Sequence, residues 1–309
     1  PHLVIPSPPY WSIKDYGTQQ QIGSTQDYET YVADLNEVWG HCYRVLRPGC
    51  KICINVGDQF LRAKEHGRYR VLPIRERIID GLMSLGADYM GAIIWRKLTN
   101  TNTSGGGTLM GSYPHPRNGI LKIDYEFILI FKKPGKAPRP TPDQKTRSAM
   151  DVAEWSRNFT AHWDFPGERS RAHHAMFPVE LPRRLVRMYS FPDELVLDPF
   201  AGAGTTVLAA LEQGRRAIGL ELNAEFSGAI EDRLGSWAPQ VSMSGEGGQA
   251  RPASVQSEFY GSAHRLEDVG RQRHPKASKV QAVCGPISLT VAGETWQLEG
   301  LQTPAAPGP

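Results

Sequence analysis

The chain of 309 residues has no apolar run long enough to cross a bilayer as a helix, and a soluble protein is expected. It shows no signal-peptide pattern and begins at Pro1 instead of a methionine, so its start reads as truncated or processed. Cysteine is scarce, and Cys42, Cys50, Cys53 and Cys284 fit no zinc framework. Reduced thiols in a cytoplasm are the simplest assumption. Cys50 and Cys53 make a C-x-x-C, but inside an apparent strand, where side-by-side burial is expected over redox work. Neither sign of charge dominates, the formal net being +3. The basic residues are clustered, however, and local fields count for more than the total when the partner is a polyanion. No internal repeat is evident. The length suits one large α/β domain with additions, or two domains.

What the chain does have is a glycine-rich turn at residues 197–206, LDPFAGAGTT. Residues 194–197 read as a short buried strand, 207–212 as a helix that Gly214 stops, and 217–221 as a second strand. Such a β-loop-α-β unit lets backbone N–H groups and a helix N-terminus approach a ligand closely. Asp198, Pro199, Phe200, Ala201, Gly202, Gly204 and Thr205 form the candidate binding turn. Glu221 follows about 20 residues on, where an acidic residue takes ribose hydroxyls. The turn lacks the third glycine of a dinucleotide fingerprint, and Asp198 would repel a pyrophosphate. It can attract a cation instead. S-adenosylmethionine has an ammonium, a sulfonium and a ribose but no phosphate, and is the expected cofactor. The plain alternative is an ordinary tight strand-to-helix turn.

The chain opens on a strand at residues 2–5 that runs into Ser7-Pro8-Pro9-Tyr10-Trp11. Two prolines make a rigid, extended turn at the carboxyl end of that strand, the end where open α/β sheets bind ligands. The turn leaves the Pro8 carbonyl without a backbone partner and sets a hydroxyl and an aromatic ring beside it.

Ser7-Pro8-Pro9-Tyr10, followed far downstream by the turn from Asp198 to Gly204, resembles the amino-methylating DNA methyltransferases of the β-class, in which the catalytic motif precedes the cofactor motif. The resemblance spans roughly residues 1 to 235. It implies a Rossmann-like α/β fold, with a mostly parallel sheet and helices on both faces, a small target-recognition insertion and a C-terminal extension. A serine at the first motif position is similar to the N4-cytosine members. Phe177 and Pro178 match a segment that helps hold the methionine end of S-adenosylmethionine. The family often has an acidic residue of structural use near Asp58.

Between the motifs, a helix with its apolar face on Tyr31, Val32, Leu35, Val38, Trp39, Cys42 and Val45 starts near Asp27 and ends before Pro48-Gly49. Strands are expected at 51–56, 89–95 and 125–131, and helices at about 74–85 and 226–234. Residues 61–77 are basic, either a solvated loop or a phosphate-contacting edge near the catalytic mouth. Residues 99–112 are glycine-rich, and read as a closing loop or a linker. Residues 132–147 carry six Lys/Arg against one acid, with four prolines. With Trp155, Arg157, Trp163, Arg169 and Arg171 they match the family's target-recognition region, so Lys132, Lys133, Lys136, Arg157, Arg169 and Arg171 are the expected DNA contacts. His173 and His174 are adjacent but have no partner at zinc spacing, and no metal is expected. The expected organisation is a catalytic half at 1–131, target recognition at 132–172, a cofactor half at 173–235, and a linker with a small β meander at 236–309.

The resemblance implies methyl transfer to the N4 amino group of cytosine in double-stranded DNA. Ser7 and Pro8 would accept hydrogen bonds from the amino group, Pro9 would fix the turn, and Tyr10 would stack on the flipped base. A C5-cytosine enzyme needs a nucleophilic cysteine, usually after a proline, and Cys50 follows Gly49. Rival readings are N6-adenine methylation, an RNA amino-methyltransferase, and a non-catalytic relative that binds DNA or cofactor. Double-stranded DNA is the expected partner and no membrane is. A cognate restriction endonuclease and a homodimer are left open. Cytoplasm, with association to the nucleoid through DNA, is the expected location.

Overall fold

A computed structural model describes residues 1–12, 21–98, 111–167, 177–223 and 225–235, and the backbone of two short strands at 256–259 and 287–290. In chain order the elements are β1 (Leu3–Val4), α1 (Tyr28–Val45), β2 (Lys51–Val56), β3 (Gln59–Leu61), α2 (Ala63–His66), β4 (Arg70–Leu72), α3 (Ile74–Ser84), β5 (Asp88–Lys97) and β6 (Tyr125–Lys132). They continue with α4 (Pro142–Arg147), α5 (Val152–Asn158), β7 (His162–Phe165), α6 (Glu180–Tyr189), β8 (Leu195–Asp198), α7 (Thr205–Glu212), β9 (Arg216–Gly219), α8 (Phe226–Gly235), β10 (Gln256–Phe259) and β11 (Ile287–Thr290).

Seven strands form one sheet in the order β7-β5-β6-β2-β1-β8-β9. Six point the same way and β6 runs against them, antiparallel to both β2 and β5. β1 is only two residues long, yet it is central: Leu3 pairs with Lys51 of β2 and Val196 of β8, and Val4 pairs with Ile52 and Leu197. It joins the first part of the chain to the last.

Alternation sends successive side chains of the buried strands to opposite faces, and each face carries its own core. Leu3, Ile5 and Cys53 pack with Leu181, Leu185, Val207 and Ile230 of α6, α7 and α8. Val4, Ile52, Ile54 and Val56 pack with Tyr31, Leu35, Trp39, Ile74 and Ile78 of α1 and α3. The expected face of α1 is buried from Tyr31 to Cys42. Asp27 caps it by accepting from the Thr30 N–H at 2.8 Å.

Antiparallel β3 and β4 form a separate two-stranded ribbon, with α2 in its loop. β10 pairs antiparallel with β11, so Gln256 and Ser257, at the end of the expected linker, are strand. Residues 99–110 of the expected loop at 99–112, the two histidines at 173 and 174, and the remaining linker and meander residues lie outside the described residues. No described helix is long and apolar enough to cross a membrane.

Candidate active site

Because β1 and β8 are parallel and adjacent, the turns that follow them leave the same end of the sheet side by side. The ladder continues past the strands: Ile5 N–H donates to Leu197 O at 2.9 Å, and Asn55 N–H donates to Pro6 O at 3.0 Å. Ser7 to Tyr10 are thereby fixed next to Asp198 to Gly204.

The first turn is held from beneath. The Tyr31 hydroxyl on α1 donates to Pro9 O at 2.9 Å, and Trp11 Nε1 donates to Gln26 O at 2.7 Å. Tyr10 is half-buried, and its hydroxyl donates to Glu126 Oε1 at 3.3 Å while accepting from Gly57 N–H at 3.2 Å. Glu126 is itself tied down by Asn55 Nδ2 at 2.7 Å and by the Lys97 ammonium. Its side chain is only 12% exposed, so the carboxylate needs these partners. Among the described residues, no hydrogen bond engages the Ser7 hydroxyl or the Pro8 carbonyl, which leaves two acceptors on the turn. Asp58, just past β2, is half-buried, and burial with Glu76 nearby raises its pKa.

The second turn is built on two left-handed glycines, Gly202 (φ 50°) and Gly204 (φ 75°). A Cβ on Gly202 would meet nothing within 4 Å, so the turn faces open space there. Gly219 on β9 supplies the close packing that the missing third glycine would give: a Cβ there would lie 2.9 Å from both Ala201 Cβ and Val207 Cγ2. Glu221 Oε2 accepts from Gly202 N–H at 2.7 Å, and Oε1 accepts from Asn223 N–H at 2.9 Å. With Leu222 N–H also close to it, the carboxylate keeps acceptor capacity for a ribose hydroxyl. Asp198 is fully buried at the end of β8, and burial pushes its pKa up to about 7 despite the Phe200 N–H it accepts at 3.0 Å. A buried carboxylate with so few partners suits a cationic ligand. Phe177 and Pro178 stand at the head of α6, which descends to the start of β8, so they too lie at this end of the sheet. Phe177 packs on the core beneath. These residues fit S-adenosylmethionine.

A family model of DNA methylases, the N6/N4 group, matches residues 2–232. The chain belongs to this family. It is 32% identical over 272 residues to the type II methyltransferase M.MjaI of Methanocaldococcus jannaschii, covering 78% of this chain and 88% of the relative. It also resembles a putative DNA modification methylase of Thermus thermophilus, solved with S-adenosyl-L-methionine, at 37% identity and a TM-score of 0.64 over 77% of this chain and 87% of that one. The PvuII DNA methyltransferase shares the fold at a TM-score of 0.56 and 19% identity, over 78% of this chain and 80% of that one. The DNA methylase takes S-adenosyl-L-methionine as cofactor.

Of the expected DNA contacts of the methylase, Lys132, Lys133, Lys136 and Arg157 are not brought to the two turns. β6 runs from Tyr125, at the catalytic end, to Lys132, which pairs with Lys51 at the start of β2. Seven residues of strand put Lys132 roughly 23 Å from that end. Lys133 lies beyond it and caps α1, its ammonium donating to Tyr43 O at 2.7 Å and Leu46 O at 2.9 Å. Lys136 follows where a Cβ on Gly49 would run into the Ala137 backbone. Arg157 sits on α5, which is anchored to the foot of α6 by Glu154 and Arg187 at 2.6 Å. Trp163 is core, 1% exposed, and donates to Asn158 O at 3.1 Å, so it cannot stack on a base. Arg169 and Arg171 lie outside the described residues. Burial pushes the Cys53 thiol up to about 12, which removes it as a nucleophile.

Sequence reading missed Glu126, Lys97, Asn55 and Gly219. Glu126 had a signal: it is a lone carboxylate in the apolar run YEFILIF, and such a group must find partners when buried.

Proposed function

We propose that the methylase transfers a methyl group to the exocyclic N4 of cytosine in double-stranded DNA. The observation that supports this most is the adjacency of the β1 and β8 turns, with Ser7 at the head of the first. The target amino group is inside the duplex, so the base must leave the stack to reach Ser7. Its lone pair is delocalised into the ring and must be drawn out of conjugation before it can attack. The Ser7 hydroxyl and Pro8 carbonyl accept the two N–H bonds and favour a pyramidal nitrogen. Tyr10, clamped by Glu126 and Gly57, presents its ring at a fixed angle to the base. Asp198 holds the positive end of the cofactor and Glu221 its ribose. S-Adenosyl-L-methionine supplies an electrophilic methyl group on a sulfonium. The protein's contribution is positioning, with no covalent enzyme intermediate.

N6-adenine is the second reading, because the same acceptors serve an adenine amino group and only Ser7 favours cytosine. Mass spectrometry of nucleosides from duplex DNA incubated with the methylase and labelled S-adenosyl-L-methionine separates them. N4-methylcytosine is expected. N6-methyladenine would overturn the base and keep the mechanism, and 5-methylcytosine would overturn both.

A further inference from the structure

The ribbon β3–α2–β4 leaves the sheet at the catalytic end, directly after β2. It is tied to the catalytic turn twice. The Gln59 amide donates to Trp11 O, and the Trp11 and His66 rings lie 6.1 Å apart. The ribbon therefore packs directly on the turn that carries Ser7 and Tyr10.

The ribbon also carries cations that are not used internally. Lys64, Arg68 and Arg70 are exposed and make no ion pair among the described residues. Arg62 meets Glu65 at 3.7 Å, with both side chains open to water. This differs from five helical arginines, Arg77, Arg147, Arg183, Arg184 and Arg187, which are each committed to a carboxylate. Beside the ribbon a cleft of about 450 Å³ runs between Tyr69 and Val71 on one side and Asn118 to Leu121 on the other. A single acid, Glu65, faces this many cations between residues 62 and 70. A surface of that charge beside a site for a duplex substrate is complementary to phosphate.

We propose that Lys64, Arg68 and Arg70 contact the phosphate backbone of duplex DNA flanking the target base, making the ribbon β3–α2–β4 the edge on which the methylase grips its substrate. The inference rests on the reading of duplex DNA as substrate. Phosphate contacts of this kind set the register of the duplex on the protein without reading sequence. The packing on Trp11 then carries that register to the catalytic turn.

The test is the salt dependence of duplex binding, read by fluorescence anisotropy, for wild type and for the triple variant K64A/R68A/R70A. Loss of three phosphate contacts should lower the magnitude of the log–log slope by roughly two to three. S-Adenosyl-L-methionine affinity, measured by calorimetry, should not change, which controls for folding. The variant K64R/R68K/R70K keeps the charge and should keep the slope. A wild-type enzyme that methylates duplex DNA while the triple alanine variant retains the full slope overturns the ribbon assignment alone. A wild-type enzyme that neither binds nor methylates duplex DNA overturns the substrate reading beneath it.

Discussion

Residues 62–70 carry four cations against Glu65, and residues 132–147 carry six against Asp143. By composition the second stretch is the better DNA-binding segment. In the fold, the first stands at the catalytic end and the second at the opposite end, with Lys133 spent on capping α1 and Arg147 shared between Asp143 and Asp193. The direction of β6 makes the difference. Had it run parallel to its neighbours, Lys132 would have emerged beside Ser7. Charge density alone does not place a segment beside the two turns; the direction of the strand that delivers it does.

Four outcomes sharpen this contrast. The largest are expected at the catalytic end. Asp198→Asn should weaken S-adenosyl-L-methionine binding by about tenfold to a hundredfold, or about 1.4–2.8 kcal/mol. The same change should leave stability equal or higher, since a carboxyl whose pKa is raised to about 7 by burial resists ionising in the folded state. The sign follows from linkage: this group weakens the ligand-free protein progressively as pH rises from 3.8 toward about 7. A cationic ligand prefers the ionised form. Affinity by calorimetry should therefore climb by up to about tenfold per pH unit below the raised pKa and level off above it. A flat profile would remove Asp198 from the cation site.

Ser7→Ala should slow single-turnover methylation by about tenfold or more while duplex affinity persists, because its hydrogen bond strengthens as the nitrogen becomes pyramidal. An equal loss of binding and rate would make Ser7 a plain binding residue. Third, Lys133→Ala should lower unfolding stability by about 0.5–2 kcal/mol, through loss of the α1 cap, and leave the salt slope of DNA binding unchanged. A shifted slope would return that end of the sheet to the interface. The smallest effect belongs to Lys136→Ala, within about 0.5 kcal/mol of wild type in a denaturant titration.

Much of the candidate site's local geometry was legible because its turns are local. Gly202 and Gly204 need left-handed backbone, Pro8 and Pro9 need extended backbone, and each states its turn in a few letters. The apolar face of α1 was legible from helical spacing, and the buried strands from their apolar runs. Strand direction was not, since alternation and composition are the same whichever way a strand runs. The segment after β6 could not be placed without it. Trp163 read as a surface aromatic because a single indole among cations carries no sign of burial. The Glu126–Lys97–Asn55 cluster joins three strands far apart in sequence, and only their adjacency in the sheet makes a site of it.

The claim that the catalytic end alone meets DNA is tested most directly by hydrogen–deuterium exchange of the methylase with and without a duplex that it methylates. Added protection is expected in peptides covering residues 7–12, 59–72 and 111–123, with residues 132–160 unchanged. Protection centred on residues 132–160, with the ribbon exchanging as before, would contradict it.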